Sequence, residues 1–464
     1  MTPNTDSNDL PHILIVVSHV PGQLFGALGL AEYLRDAGYT ISFCSYDNQQ
    51  ATIEANGYPF YLTSDLYGES ALTWQGGTRL SRLINGVSQL RTIKQRRHEA
   101  IHWEAVQHFQ KTIAEAHPDL ILVDTELPAH TICAGTAGIP IAVFNRMLTM
   151  QKYPNVPPLH FPNIPNRGRS GSFWGIEWAW LKYRLIKGRR FWTRKLRKIL
   201  ADKTSVLAHL AHEFGFDFGK YVQHYQWAMP FSFRLPTVNL TALELELPHT
   251  PRDFYHYAGA LITQDRHTTH ETDPRLQAIL DHHTNDNSSK LIYCASGTYY
   301  KGDDQSLWHR LIAVAQSRPD WQFVFGLGGR FEVDKLGKLP ENVLALNWIP
   351  QLQVLEKADC AVIATGINTV LECVHYEVPM LAYPLPFLDQ PGNAARIRYH
   401  ELGIVGERTH DDAETIIAHI DTVLTDPRYK ENLRTMRQYF LRYEQLNAPV
   451  NVIQKIIKSS AKDK

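Results

Sequence analysis

Short runs of apolar, β-branched residues recur along this chain, most of them followed by a loop and a stretch with helical spacing. Residues 12–18 (HILIVVS) are the first such run. It lacks polar alternation, so it suits a strand buried on both faces, as in a parallel sheet. Pro21 and Gly22 follow, then apolar residues at helical spacing over 24–37, then Gly38, then a second run at 40–45. Strand, helix and strand in that order require a parallel, right-handed crossover. The pattern returns at 120–123, with Asp124 at its end, a helix over 129–137, Gly138 and a strand over 140–144. A second series predicts strands at 291–295, 321–326, 343–347, 360–364 and 380–384. Helices are predicted over 306–317 and from Asn368, and residues 426–464 are helical in pattern.

A chain of 464 residues exceeds one compact core, so two domains are expected. The sequence divides into residues 1–235, a linker over 236–250, a second domain over 251–440 and a terminal helix over 441–464, expected to pack back on the first domain. Two doubly wound α/β domains place a ligand cleft between them, at the carboxyl ends of their strands.

Composition narrows the classes further. Lys plus Arg and Asp plus Glu number 47 each, so nucleic-acid binding through overall charge is not expected. The five cysteines (Cys44, Cys133, Cys294, Cys360, Cys373) are scattered and never paired as C-x-x-C, which reads as buried free thiols in a reducing compartment. The opening residues lack a charged segment followed by an apolar stretch, and no run of about eighteen apolar residues exists. A cytoplasmic protein is therefore expected, and the sequons at Asn239 and Asn287 read as chance matches.

The most informative segment is 348–394, WIPQLQVLEKADCAVIATGINTVLECVHYEVPMLAYPLPFLDQPGNA. Thr365, Gly366 and Asn368 stand between a predicted strand and helix, where free N–H groups and the positive helix end suit a diphosphate. Asn368 and Thr369 can cap that helix or meet phosphate. Glu372 lies one turn beyond Asn368, and a carboxylate there can accept two ribose hydroxyls. Trp348 offers a flat face for a base. Asp389 and Gln390 follow a strand end, where they can read sugar hydroxyls.

The order W-x-P-Q, G-x-N-T-x-x-x-E and D-Q-x-x-N-A resembles the signature box of the UDP-glucuronosyl/UDP-glucosyltransferase family. The resemblance implies a GT-B fold, two Rossmann-like domains facing across a cleft, and an inverting transfer of a hexose, glucose by Gln390, from a UDP-sugar. It implies that Trp348 stacks on uracil, with Gln351 in the same box. Glu372 would hold ribose, Asn368 and Thr369 meet the phosphates beside Thr365 and Gly366, and Asp389 and Gln390 bind the sugar. Ser296, Gly297 and Thr298 match the family's donor-side loop. The UDP-sugar is a co-substrate; no cofactor or metal is implied.

Two positions depart from the family pattern. Ala364 stands where the family has a histidine that contacts pyrophosphate, a hydrogen bond worth about 0.5–3 kcal/mol. Gln23 stands where the family's catalytic histidine is expected, and an amide is no general base. Asp124 matches the acid that orients that histidine. His19, four residues before Gln23, is one replacement base, with Asp124 behind it. Asp124 acting directly, an acceptor that needs little deprotonation, or a chain that no longer transfers sugar and serves as an auxiliary partner are the alternatives, beside a lipid-linked-sugar transferase.

Weaker signals complete the sequence. The glycine-rich 326–330 reads as a flexible loop, without the G-K-[ST] of a phosphate loop. His267, His270, Glu271, His282 and His283 read as solvated polar residues rather than a metal site. The segment 167–203 holds twelve Lys or Arg against Glu177 and Asp202, with Trp174, Trp178, Trp180 and Trp192. It suits peripheral contact with an anionic membrane or the lining of a small hydrophobic or lipid acceptor's pocket. A helical excursion with a solvated basic face is the plainer alternative.

Overall fold

The computed structural model describes residues 11–68, 92–197, 202–223, 232–263, 272–285, 289–295, 306–328, 332–386 and 388–462. Seven strands form the first sheet: β1 (His12–Val16), β2 (Thr40–Ser45), β3 (Phe60–Leu62), β4 (Leu120–Asp124), β5 (Ile141–Asn145), β8 (Thr237–Asn239) and β9 (Tyr255–Tyr257). Between β5 and β8 lies a small antiparallel pair, β6 (Val222–Gln223) and β7 (Ser232–Phe233). The first sheet is parallel throughout, in the order β3-β2-β1-β4-β5-β8-β9. The second sheet comprises β10 (Lys290–Ala295), β11 (Trp321–Gly326), β12 (Val343–Leu346), β13 (Cys360–Ile363), β14 (Met380–Ala382) and β15 (Gly403–Val405). It is also parallel, in the order β12-β11-β10-β13-β14-β15. Strands such as β4 are buried along their whole length, as continuous apolar runs require.

The first sheet extends further along the chain than its sequence suggests. Residues 236–250 read as a linker, and 251 as the start of the second domain, because prolines frame a polar stretch. Instead β8 and β9 pair in the first sheet. Buried amides hold them there: Asn239 and Asn145 both donate from Nδ2 to the Tyr255 hydroxyl, at 2.7 and 2.9 Å. A three-residue strand shows no periodicity, so only its partners reveal it.

In each sheet the strand order reverses beside its first strand, between β1 and β4 and between β10 and β13. Ligands of doubly wound sheets bind at such switch points, outside the carboxyl ends of the strands. The loops concerned are those after β1, β4 and β13. The terminal helices Pro427–Gln445 and Ala448–Lys462 return across the molecule. Ile453 and Ile456 of the last helix are buried in the core formed by β1 and the first helix, Pro21–Asp36. All five cysteines are free and buried. Among the described residues, no helix is long and apolar enough to cross a membrane.

Candidate functional site

The two switch points face each other and touch. The helix Ile367–His375 begins at Gly366, and no side chain caps its first turn. Asn368 is therefore no cap. Its Nδ2 donates to the Gly22 carbonyl at 3.1 Å, and its Oδ1 accepts from Arg146 Nε at 2.6 Å. Arg146 follows β5, is almost wholly buried, and also donates to the Leu261 carbonyl at 2.9 Å. A guanidinium from the first domain thus stands at the N-terminal end of the second domain's helix, where negative charge is favoured. Glycines permit the approach. A Cβ at Gly22 would lie 2.7 Å from Asn368 Nδ2, and one at Gly26 would lie 2.2 Å from Arg146 Cδ. The Gly26→Val variant should therefore displace Arg146 and lose about 1–3 kcal/mol, measurable by chemical denaturation.

The turn into this helix is strained. Thr365 is β-branched and buried, yet has φ of 61°. Its Oγ1 donates to the Gln390 carbonyl at 3.0 Å, and its own carbonyl accepts from Asn393 Nδ2 at 3.0 Å. Asn393 Nδ2 also reaches Asp389 Oδ2 at 2.8 Å. Gln390 is buried and its side-chain carbonyl accepts from the Leu385 N–H at 2.8 Å. Burial raises the Asp389 carboxyl above its ordinary value.

A second polar set lies behind the helix's first turn. Gln351 donates to Glu372 and, at 3.3 Å, to Thr369 Oγ1, while its carbonyl accepts from the Tyr293 hydroxyl at 2.9 Å. Glu372 is nearly buried, and Trp348 stands partly exposed between β12 and the helix Gln351–Leu355. Trp348, Gln351, Thr369 and Glu372 thus occupy one end of the second sheet. Ser296, Gly297 and Thr298 lie outside the described residues, as do His267, His270 and Glu271. His283 is structural, its Nε2 lying 3.3 Å from Asp359.

Across the cleft, the candidate bases separate. Asp124 is fully buried at the end of β4, accepting from the Ser18 N–H at 3.2 Å and the Glu126 N–H at 3.0 Å. Burial, with the Glu126 charge beside it, pushes its carboxyl up to about 7. The His19 ring is exposed, edge-on to Tyr46 with centroids 5.4 Å apart. No hydrogen bond joins it to Asp124 among the described residues, so the two do not form the expected pair. Gln23 is buried, and its side chain donates to the carboxylate of Glu126. Burial raises the Glu126 carboxyl. The Gln23 hydrogen bond and the nearby His19 oppose that shift, while Asp389 across the cleft adds to it.

Glu126 is the residue that sequence reasoning missed. Its signal is a second carboxylate two residues beyond Asp124 in the same strand-end loop. Arg146 was missed too, since its partner Asn368 is 222 residues away.

Asp124 also imposes a pH dependence on stability. Its folded pKa lies above the unfolded one, so its protonated form stabilises the fold below about pH 4. That contribution is lost as pH rises through about 7. The Asp124→Asn variant should therefore gain stability relative to the parent between about pH 4 and about pH 8, measured by denaturant titration.

The family model for UDP-glucoronosyl and UDP-glucosyl transferases matches residues 311–450, which hold β12, β13 and the helix against Arg146. Over this stretch the chain is similar to the UDP-glycosyltransferase family. The chain is 28% identical over 173 residues to the uncharacterized UDP-glucosyltransferase YdhE of Bacillus subtilis (strain 168). It is 30% identical over 193 residues to the demethyllactenocin mycarosyltransferase of Streptomyces fradiae. These matches cover 37% and 41% of this chain, and about two-fifths of the relatives' own length (43% and 40%). Among solved structures, the glycotransferase of kitacinnamycin matches 96% of this chain and 99% of its own with a TM-score of 0.65 at 17% identity. The glycosyltransferase VinC, solved with dTDP, matches 97% and 100% with a TM-score of 0.60 at 15% identity. The fold shared with these solved structures, GT-B, extends over both sheets.

Proposed function

We propose that this chain is an inverting glycosyltransferase that moves a hexose from a nucleoside diphosphate, UDP-linked and with glucose as the sugar, to a hydroxyl of a lipophilic acceptor. One observation carries the reading. The loop after β4 sets Glu126 close enough to Asp389 to feel its charge, with Gln23 of the first helix bonded to Glu126, while Arg146 meets the open end of the helix at Asn368. In this reading a base, a sugar-reading carboxylate and a cationic anion site share one cleft.

In this reading Glu372, held by Gln351, accepts the ribose hydroxyls and Trp348 stacks on the base. The uncapped amides of the helix and the Arg146 guanidinium take the diphosphate, and Asp389 with the Gln390 amide fixes the sugar. Glu126 accepts the acceptor's hydroxyl proton as that oxygen bonds to the anomeric carbon. The bond from that carbon to the diphosphate oxygen breaks, and its electron pair leaves with the nucleoside diphosphate. Negative charge grows on that oxygen, where fixed N–H donors stabilise it most. Arg146 supplies what Ala364 does not.

The pH profile tests the role of Glu126. A protonated carboxyl accepts no proton, so activity should rise with pH along a limb above the ordinary carboxylate range. The His19→Ala variant removes a neighbour that holds the Glu126 carboxyl down, so its limb should move to higher pH. A profile that loses its limb altogether in this variant would make His19 the base. An auxiliary, non-transferring role is the second reading, favoured by Gln23 and Ala364; binding of donor with no turnover across an acceptor panel would support it.

A further inference from the structure

The helix Phe173–Arg197 runs 25 residues, about 37 Å at 1.5 Å per residue. Its inner face is anchored. Ile176, Ala179 and Trp180 are buried, Trp180 Nε1 donates to the Val156 carbonyl at 2.7 Å, and Glu177 pairs with Lys152. The outer face carries Trp174, Trp178, Leu181, Leu185, Trp192 and Leu196, which are 45–79% exposed. At 100° per residue all six fall within about 40° of one line along the helix. Lys182 and Arg189 flank that line on one side and Arg184 and Lys195 on the other. The helix holds eight Lys or Arg against a single Glu177, in a chain with no net charge. So much charge excludes a spanning segment.

A Trp and Leu stripe between two rows of cations fits the boundary between lipid headgroups and acyl chains. A second copy of the chain fits it poorly, because its own stripe would bring like charges together. We infer that this helix lies in the surface of an anionic bilayer and that the cleft draws its acceptor from that bilayer. The path between them is short. Segment 146–165 starts at Arg146 in the cleft, carries Val156 and Lys152 against the helix, and passes Leu159 beneath Gly392 of the helix Gln390–Tyr399. Delivery of the acceptor rests on the proposed transferase; docking does not.

The test is co-sedimentation of the full chain with vesicles of phosphatidylcholine alone and of phosphatidylcholine with phosphatidylglycerol. Binding is expected to the anionic vesicles, with each basic residue at the surface strengthening it about fivefold. It should weaken as salt rises. The Trp174→Ser/Trp178→Ser variant should bind at least tenfold more weakly and keep its thermal transition, since both side chains are exposed. It should also keep the parent rate on a water-soluble acceptor and lose rate on one embedded in vesicles. Equal binding to both vesicle types, or none to either, would overturn the inference. So would a parent chain that sediments as a dimer and becomes monomeric in the variant. Vesicle binding without donor turnover would instead reject the transferase and leave the docking surface standing.

Discussion

The Glu126→Gln variant should bind nucleotide sugar as the parent does and transfer sugar on the order of 10²–10⁴-fold more slowly. Glutamine keeps the shape and can still face Gln23, but its amide accepts no proton. The reason to expect a loss this large lies in the neighbours. Gln23 is itself incapable of base chemistry, and its side chain is turned onto the Glu126 carboxylate. Asp124 is less suited, because its oxygens already hold the Ser18 and Glu126 backbone N–H groups deep in the first domain. Single-turnover rates at saturating donor separate the chemical step from binding. Unchanged turnover in Glu126→Gln, together with a collapse in His19→Ala, would return the role to the exposed histidine.

Arg146→Met should weaken nucleoside diphosphate binding and slow transfer by roughly 10²–10³-fold, the range seen when one donor to a developing anion is removed. The guanidinium is almost wholly buried between the Leu261 carbonyl and Asn368, so part of the cost falls on stability. Leaving those acceptors unmet costs about 1–3 kcal/mol. The two contributions can be told apart. A purely structural strut would lower the denaturation midpoint and leave nucleotide affinity alone, with Arg146→Lys and Arg146→Met alike. An anion-binding role requires that Lys, which keeps the charge, recover part of the affinity that Met loses.

Much of this cleft is legible in the sequence because it hangs on strand ends. The runs that become β1, β4, β10 and β13 are continuous and β-branched, so they announce a parallel sheet and place the loops after them at its carboxyl edge. Asp124 and Glu372 could be located that way. What stayed hidden depends on contacts between distant segments. Nothing local marks Arg146 as the partner of Asn368, and Gly26 reads as an ordinary helix glycine until Arg146 is seen against it. The expectation that His19 pairs with Asp124 failed on direction: both follow strand ends, but one side chain turns outward to Tyr46 and the other inward. The strands β8 and β9 fall where the sequence suggests linker and second domain, because three residues carry no period and side-chain amides hold them in place.

The most direct test of the cleft as a nucleotide-sugar site is calorimetric titration of the full chain with UDP and with dTDP, alongside the Glu372→Ala variant. Saturable binding of at least one nucleotide by the parent is expected. That binding should be lost in the variant while its thermal transition persists, because the proposed site has Glu372 hold the ribose. Failure of the parent to bind either nucleotide, or equal binding by the folded Glu372→Ala variant, would contradict that placement.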